Sequence, residues 1–132
     1  MNLMTRLVIL KDAGQIDQNI HGDIIKIIDM FDEKYNIKLT EENASMLITH
    51  LAISFKRIKM GETVNPIEEI MYEEIRADKN YKKAEAIFKD IEVTIGKSIN
   101  DNEKGFIIMH LCSLLHNEDT DKNTDENIIK DV

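Results

Sequence analysis

Of the four histidines in this chain, His21, His50, His110 and His116, two share a frame. The stretch Leu39 to Leu51 aligns without gaps on Ile99 to Leu111, a constant offset of sixty residues. Each copy reads apolar residue, capping residue, acid, helix, and then His-Leu. An imidazole with the ordinary pKa near ~6.5 is neutral at neutral pH, so a ring nitrogen offers its lone pair to a proton, a metal ion or another electrophile. Turning each residue by 100° sets His50 about 110° from the centre of the stripe Leu47, Ile48, Leu51, Phe55 and Ile58, at the edge of the apolar face. His110 takes the same place beside Ile107, Ile108, Leu111 and Leu115. Both are boundary residues, for which the plain alternative is a structural histidine bonded to a neighbour. His21 and His116 fit no shared frame and are expected to face solvent.

Other chemistry finds little support. No His-Glu-x-x-His pattern is present, and zinc needs three or four converging ligands, so no metal site is expected. There is no glycine loop to cradle phosphate and no Ser or Cys nucleophile set beside a histidine in a recognisable motif; the chain does not read as an enzyme, and no cofactor is implied. Cys112 stands alone among apolar helical neighbours, which points to a buried, reduced thiol and a cytoplasmic home. The seven methionines are spread along the helices in the manner of core fillers.

Helices must position the two histidines. Leu3, Leu7 and Leu10 define a short first helix over residues 2–13, closed by Gly14. Asp17 caps a second, with Ile20, Ile24, Ile27, Ile28 and Phe31 on one face, ending near Tyr35 where Asn36 tolerates the left-handed turn. Thr40, followed by Glu41 and Glu42, opens the third, which runs to Gly61. Asn65-Pro66 predicts the start of a fourth, with proline at the first helical position, continuing to about Ala77. A fifth spans Tyr81 to Ile95 before Gly96. The last opens at Asn100, with Glu103 as its capping-box partner, and continues through Leu115.

These elements, with loops of two to six residues, predict an all-α fold: a bundle of five or six antiparallel helices in which the third and the last are related by approximate internal symmetry. A single domain over residues 1–116 is expected, followed by an acidic, disordered tail over 117–132. The formal charge is −8, half of it in that tail, where six acids face two lysines. No basic stripe interleaved with aromatics is present, which excludes a direct nucleic-acid binder. The opening MNLMTRLVIL is too short an apolar run to span a membrane and lacks the features of a signal peptide.

Two stretches, LITHLAISFKRIKMGETVNPIEEI from Leu47 and GKSINDNEKGFIIMHLCSLL from Gly96, resemble the signature regions of the PTS regulation domain. The resemblance covers residues 17–115 and rests on the order and spacing of His50, Arg57, Gly61-Glu62, Asn65-Pro66 and His110. It implies a helical bundle that receives a phosphoryl group on histidine from the phosphocarrier or a sugar-specific component of the sugar phosphotransferase system. Dimerisation, or the activity of an effector in transcriptional regulation, then changes. His50 and His110 would be the phosphoacceptors, and the assembly a homodimer. Antiterminators and activators of the family carry paired copies behind a nucleic-acid-binding module. This chain shows one copy and no such module, and resembles the free-standing members. Arg57, about 10 Å along the helix from His50, is expected to neutralise the added charge as a hydrogen-bonded clamp. The rival reading is a helical dimerisation or adaptor protein whose histidines do no chemistry.

Overall fold

The computed structural model describes the backbone of residues 1–130 and the side chains of residues 1–119. Six helices follow one another: α1 (Leu3–Asp12), α2 (Gln18–Tyr35), α3 (Glu41–Lys59), α4 (Glu69–Arg76), α5 (Tyr81–Ile95) and α6 (Asp101–Lys130). Among the described residues there is no strand, as the helical periodicity predicts. Among the described residues no helix is long and apolar enough to cross a membrane.

Local chemistry accounts for most boundaries. The side chains of Asn2 and Asp17 accept from the backbone N–H groups of Thr5 and Ile20, and Thr40 and Asn43 bond each other reciprocally in a capping box. The α2 helix stops at Asn36 (φ 54°) and α5 at Gly96 (φ 66°), both in the left-handed conformation that frees the chain to turn.

Two boundaries depart from the sequence reading. The α4 helix begins at Glu69, not at Pro66, and residues 62–68 have no regular structure. The reason lies in Ile67, which is buried to 9% exposure where this segment crosses α6 at Gly105. An extended backbone lets that side chain reach the gap left by the missing Cβ. The α6 helix carries the backbone on to Lys130, past the end expected near Leu115. Side chains after Asp119 lie outside the described residues, and so does most of the tail expected over 117–132.

The core is one cluster built from Ile24, Ile27 and Phe31 of α2, Ile48 and Leu51 of α3, Ile87 and Ile91 of α5, and Ile107, Ile108 and Leu111 of α6, all with no exposure. Full burial of each such side chain contributes about 1.5–3 kcal/mol before conformational entropy is set against it. Cys112 belongs to the same cluster and is free and buried. Burial, and then the field of Asp78, push its thiol up to about 11, so it stays protonated.

Most of the methionines are not core fillers: Met1, Met4, Met46, Met60 and Met71 are exposed, and Met30 packs against the core only partly buried. Isoleucine and leucine fill the interior, and the unbranched methionines are left for its margins.

Cross-element pairs define the packing. Lys34 meets Asp90, and Lys97 meets Asp23, so α2 and α5 run antiparallel. Arg57 lies opposite Glu103, His50 opposite His110, and Asn43 opposite Glu118, which sets α3 antiparallel to α6. The internal repeat is wider than the sequence frame: Ile27 and Ile87, Phe31 and Ile91, and the left-handed Asn36 and Gly96 also stand sixty apart in equivalent roles. The hairpin α2–α3 thus corresponds to α5–α6, with a pseudo-twofold axis passing between His50 and His110.

Candidate functional site

Seven residues separate His50 from Arg57 on α3 and Glu103 from His110 on α6, so the antiparallel register that pairs Arg57 with Glu103 also brings the two histidines face to face at the α3–α6 interface. Their rings are 4.9 Å apart, centroid to centroid, tilted at 41°, and Phe106 packs against His50 at 5.8 Å. Both side chains are half-buried, as their boundary positions predict. That they face each other was outside the reach of a periodicity argument.

The two surroundings differ. On the His50 side, the Glu103 carboxylate is buried to 1% exposure. Arg57 grips it with two nitrogens, at 2.7 and 3.0 Å, and Ser54 Oγ donates to it at 2.6 Å. His50 Nε2 lies 3.9 Å from Glu103 Oε2, too far for a hydrogen bond, and is shut from solvent without a partner. Glu103 therefore does not close the expected capping box. Its N–H donates to Asn100 Oδ1 at 3.1 Å, but its side chain turns inward. The signal was present in the sequence: Glu103, Ile107 and Leu111 recur every fourth residue, which puts an acid on the buried stripe.

Arg57 is accordingly placed near His50 as expected, but its guanidinium is bound to a carboxylate. Its hydrogen bonds to Glu103 raise its own pKa against burial. Burial by itself would raise Glu103, yet the hydrogen bonds from Arg57 and Ser54 prevail and hold its carboxyl below the ordinary range.

On the His110 side, a groove of about 220 Å³ opens instead, lined by Asn43, Ser45, Met46, His110, Ser113 and Asn117 among others. Burial holds His110 below the ordinary histidine value. His50 is lowered by burial first, with His110 and Arg57 adding to the effect and Glu103 opposing it. Both imidazoles are thereby kept neutral at neutral pH, the form in which a ring nitrogen has a free lone pair.

The other two histidines stand apart from the pair. His21 is half-buried on α2, where an exposed position was expected. His116 is exposed but engaged, its Nε2 2.7 Å from Asp78 Oδ2 across to the turn before α5. Among the described residues no group of three His, Cys, Asp or Glu converges as a metal site would require.

An antiparallel helical bundle with two facing, neutral histidines at its pseudo-twofold axis is the framework these features define. The PRD domain model matches residues 25–114, more than half of the chain, and the protein belongs to the PRD domain family, a family of regulatory domains. It is similar to the uncharacterized protein YhfY of Escherichia coli (strain K12), with 22% identity over 110 residues, covering 83% of this chain and 92% of that protein. No solved structure matches.

Proposed function

We propose that this chain is a signal-receiving domain of the sugar phosphotransferase system that accepts a phosphoryl group on the His50–His110 pair and passes the signal on through altered dimerisation or partner binding in transcriptional regulation. The observation that carries the reading is the pair itself: two half-buried imidazoles 4.9 Å apart on facing helices, both lowered in pKa.

In the transfer, the lone pair of a neutral ring nitrogen attacks phosphorus, and the bond from phosphorus to the donor breaks as the new N–P bond forms. The ring then releases its remaining N–H proton. The product carries roughly two negative charges where none stood before. So much new charge at the axis between α3 and α6 is a strong perturbation of a half-buried interface, and packing there responds to it.

The donor in this reading is the general phosphocarrier or a sugar-specific component. The effector assembly is a homodimer, and α1 offers it an apolar surface in Met4, Val8 and Ile9, each about half exposed. Incubation with the phosphocarrier, its kinase and phosphoenolpyruvate should give an acid-labile, base-stable adduct on His50 or His110. Sedimentation of the modified protein should show a changed dimerisation constant. Absence of label with a full donor set, cognate sugar-specific component included, favours the adaptor reading instead.

A further inference from the structure

The pseudo-twofold axis makes the environments of the two histidines comparable residue by residue. With the offset of sixty, Glu103 corresponds to Asn43, Ser54 to Leu114 and Arg57 to Asn117. The three residues that fill the space beside His50 are thus a carboxylate, a hydroxyl and a guanidinium bonded to one another. Their three counterparts beside His110 are uncharged, and they border an open groove. The same seat is built twice and occupied once.

A phosphoryl group on His50 Nε2 has no room. The 3.9 Å between Nε2 and Glu103 Oε2 is too short for a tetrahedral phosphoryl to stand between them. The carboxylate is ionised and repels the group, and Arg57, the cation that would neutralise it, is already taken. Beside His110 the groove holds hydroxyls from Ser45 and Ser113 and the amide of Asn117, all able to donate to phosphoryl oxygens, and its one acid, Glu42, lies on the open lining and is not locked to an arginine as Glu103 is.

We propose that Glu103, held by Arg57 and Ser54, plugs the phosphoryl seat of His50 and so directs phosphoryl acceptance to His110. Glu103 is then a specificity-determining residue for the reaction. The inference rests on the reading of the pair as a phosphoacceptor, and the test keeps the two apart.

Phosphoramidate, a small phosphoryl donor, needs no protein recognition: its N–P bond breaks as the imidazole N–P bond forms, and ammonia leaves. The wild type, Glu103→Ala and the double variant Asn43→Glu/Asn117→Arg would be treated with it and the labelled histidines mapped. In the wild type, His110 should be labelled at least about tenfold faster than His50. Glu103→Ala, with the seat open and Arg57 released, should bring His50 up to the rate of His110. The double variant installs the ion pair on the other side and should slow His110 by about tenfold; it keeps a residue at position 43 able to close the capping box with Thr40, so it serves even where Glu103→Ala does not fold.

Equal labelling of both histidines in the wild type overturns the plug. So does a folded Glu103→Ala in which His50 stays silent, or a folded double variant in which His110 reacts as before. Failure of transfer from the phosphocarrier, with the expected phosphoramidate pattern intact, removes the phosphotransferase reading and leaves the plug standing.

Discussion

Around His50 and around His110 the same two helices meet in the same antiparallel register, yet one site is closed by an ion pair and the other stands open. The backbone framework is shared: Thr40 and Asn100 cap the two helices, and Leu47 with Ile107, Ile48 with Ile108 and Leu51 with Leu111 are buried alike. The difference lies in polar residues at the rim of the stripe. A repeat can thus duplicate a scaffold while three substitutions along its edge give the copies different surroundings. The connection between the repeats reinforces the asymmetry, because Ile67 and Tyr72 cover α6 at Gly105 on the closed side, whereas the equivalent Ser45 lines the open groove.

The comparison is broken most directly at Arg57. Glu103 is 1% exposed and Arg57 24%, so Arg57→Met leaves a buried carboxylate with only Ser54 as a partner. That should cost about 3 kcal/mol, the lower end of the range for an orphaned buried charge, since the arginine was itself partly solvated. The counterpart change, Asn117→Ala, removes no side-chain hydrogen bond among the described residues and should stay within about 0.5 kcal/mol. Urea midpoints of the two variants against the wild type measure both. Similar losses at the two positions would mean that the closed and open sites do not differ in the way described.

What could be read in advance divides along the same line. Helix starts and stops were legible because caps act over three or four residues: Asp17, Thr40 and Gly96 each carry their reason within one turn. The fourth helix was misplaced because its start is set by Ile67 reaching Gly105, thirty-eight positions away in sequence. Both histidines were legible from the repeat, and Arg57 from the family pattern. Glu103 reads two ways, since its place on the Ile107–Leu111 stripe marks it as buried while an acid three residues after Asn100 satisfies the capping-box pattern equally well. Only the register of α3 on α6 shows that its carboxylate turns to Arg57. The methionines misled for a different reason, as composition says how adaptable a side chain is and not which face it occupies.

Gly105 gives a second and smaller contrast. A Cβ there would lie 2.5 Å from Ile67 Cγ2 and 3.1 Å from the Tyr72 ring. Gly105→Ala gains about 1 kcal/mol of helix propensity and loses about 1–3 kcal/mol to overpacking, because Ile67 is β-branched and the segment carrying it has to move. A net loss near 1 kcal/mol is expected, with residues 62–76 more open to proteolysis. Ser45→Ala, at the equivalent place on the open side, should leave stability within about 0.5 kcal/mol. A Gly105→Ala protein more stable than its parent would show that Ile67 does not close this side.

The smallest expected effect is the response to mild acid, and its sign separates the histidine pair from the ion pair beside it. Both His50 and His110 are held below their ordinary value of 6.5, so the unfolded chain binds protons there before the folded one does. Stability should therefore fall as pH drops through about 6.5, and recover above it. Glu103 is held below 4.5, so its contribution is fully present above that value and is lost only at lower pH. The two windows do not overlap, and chemical denaturation at intervals from pH 7.5 to 4 resolves them. A His50→Gln/His110→Gln variant should lose the dependence near 6.5 and keep the one below 4.5. Arg57→Met should do the reverse: with the guanidinium gone, burial is opposed by Ser54 alone, the Glu103 carboxyl rises, and the loss of stability below 4.5 shrinks while the dependence near 6.5 remains. A wild type whose stability is flat between pH 7.5 and 5.5 would mean that neither imidazole is neutral by virtue of burial in the folded protein.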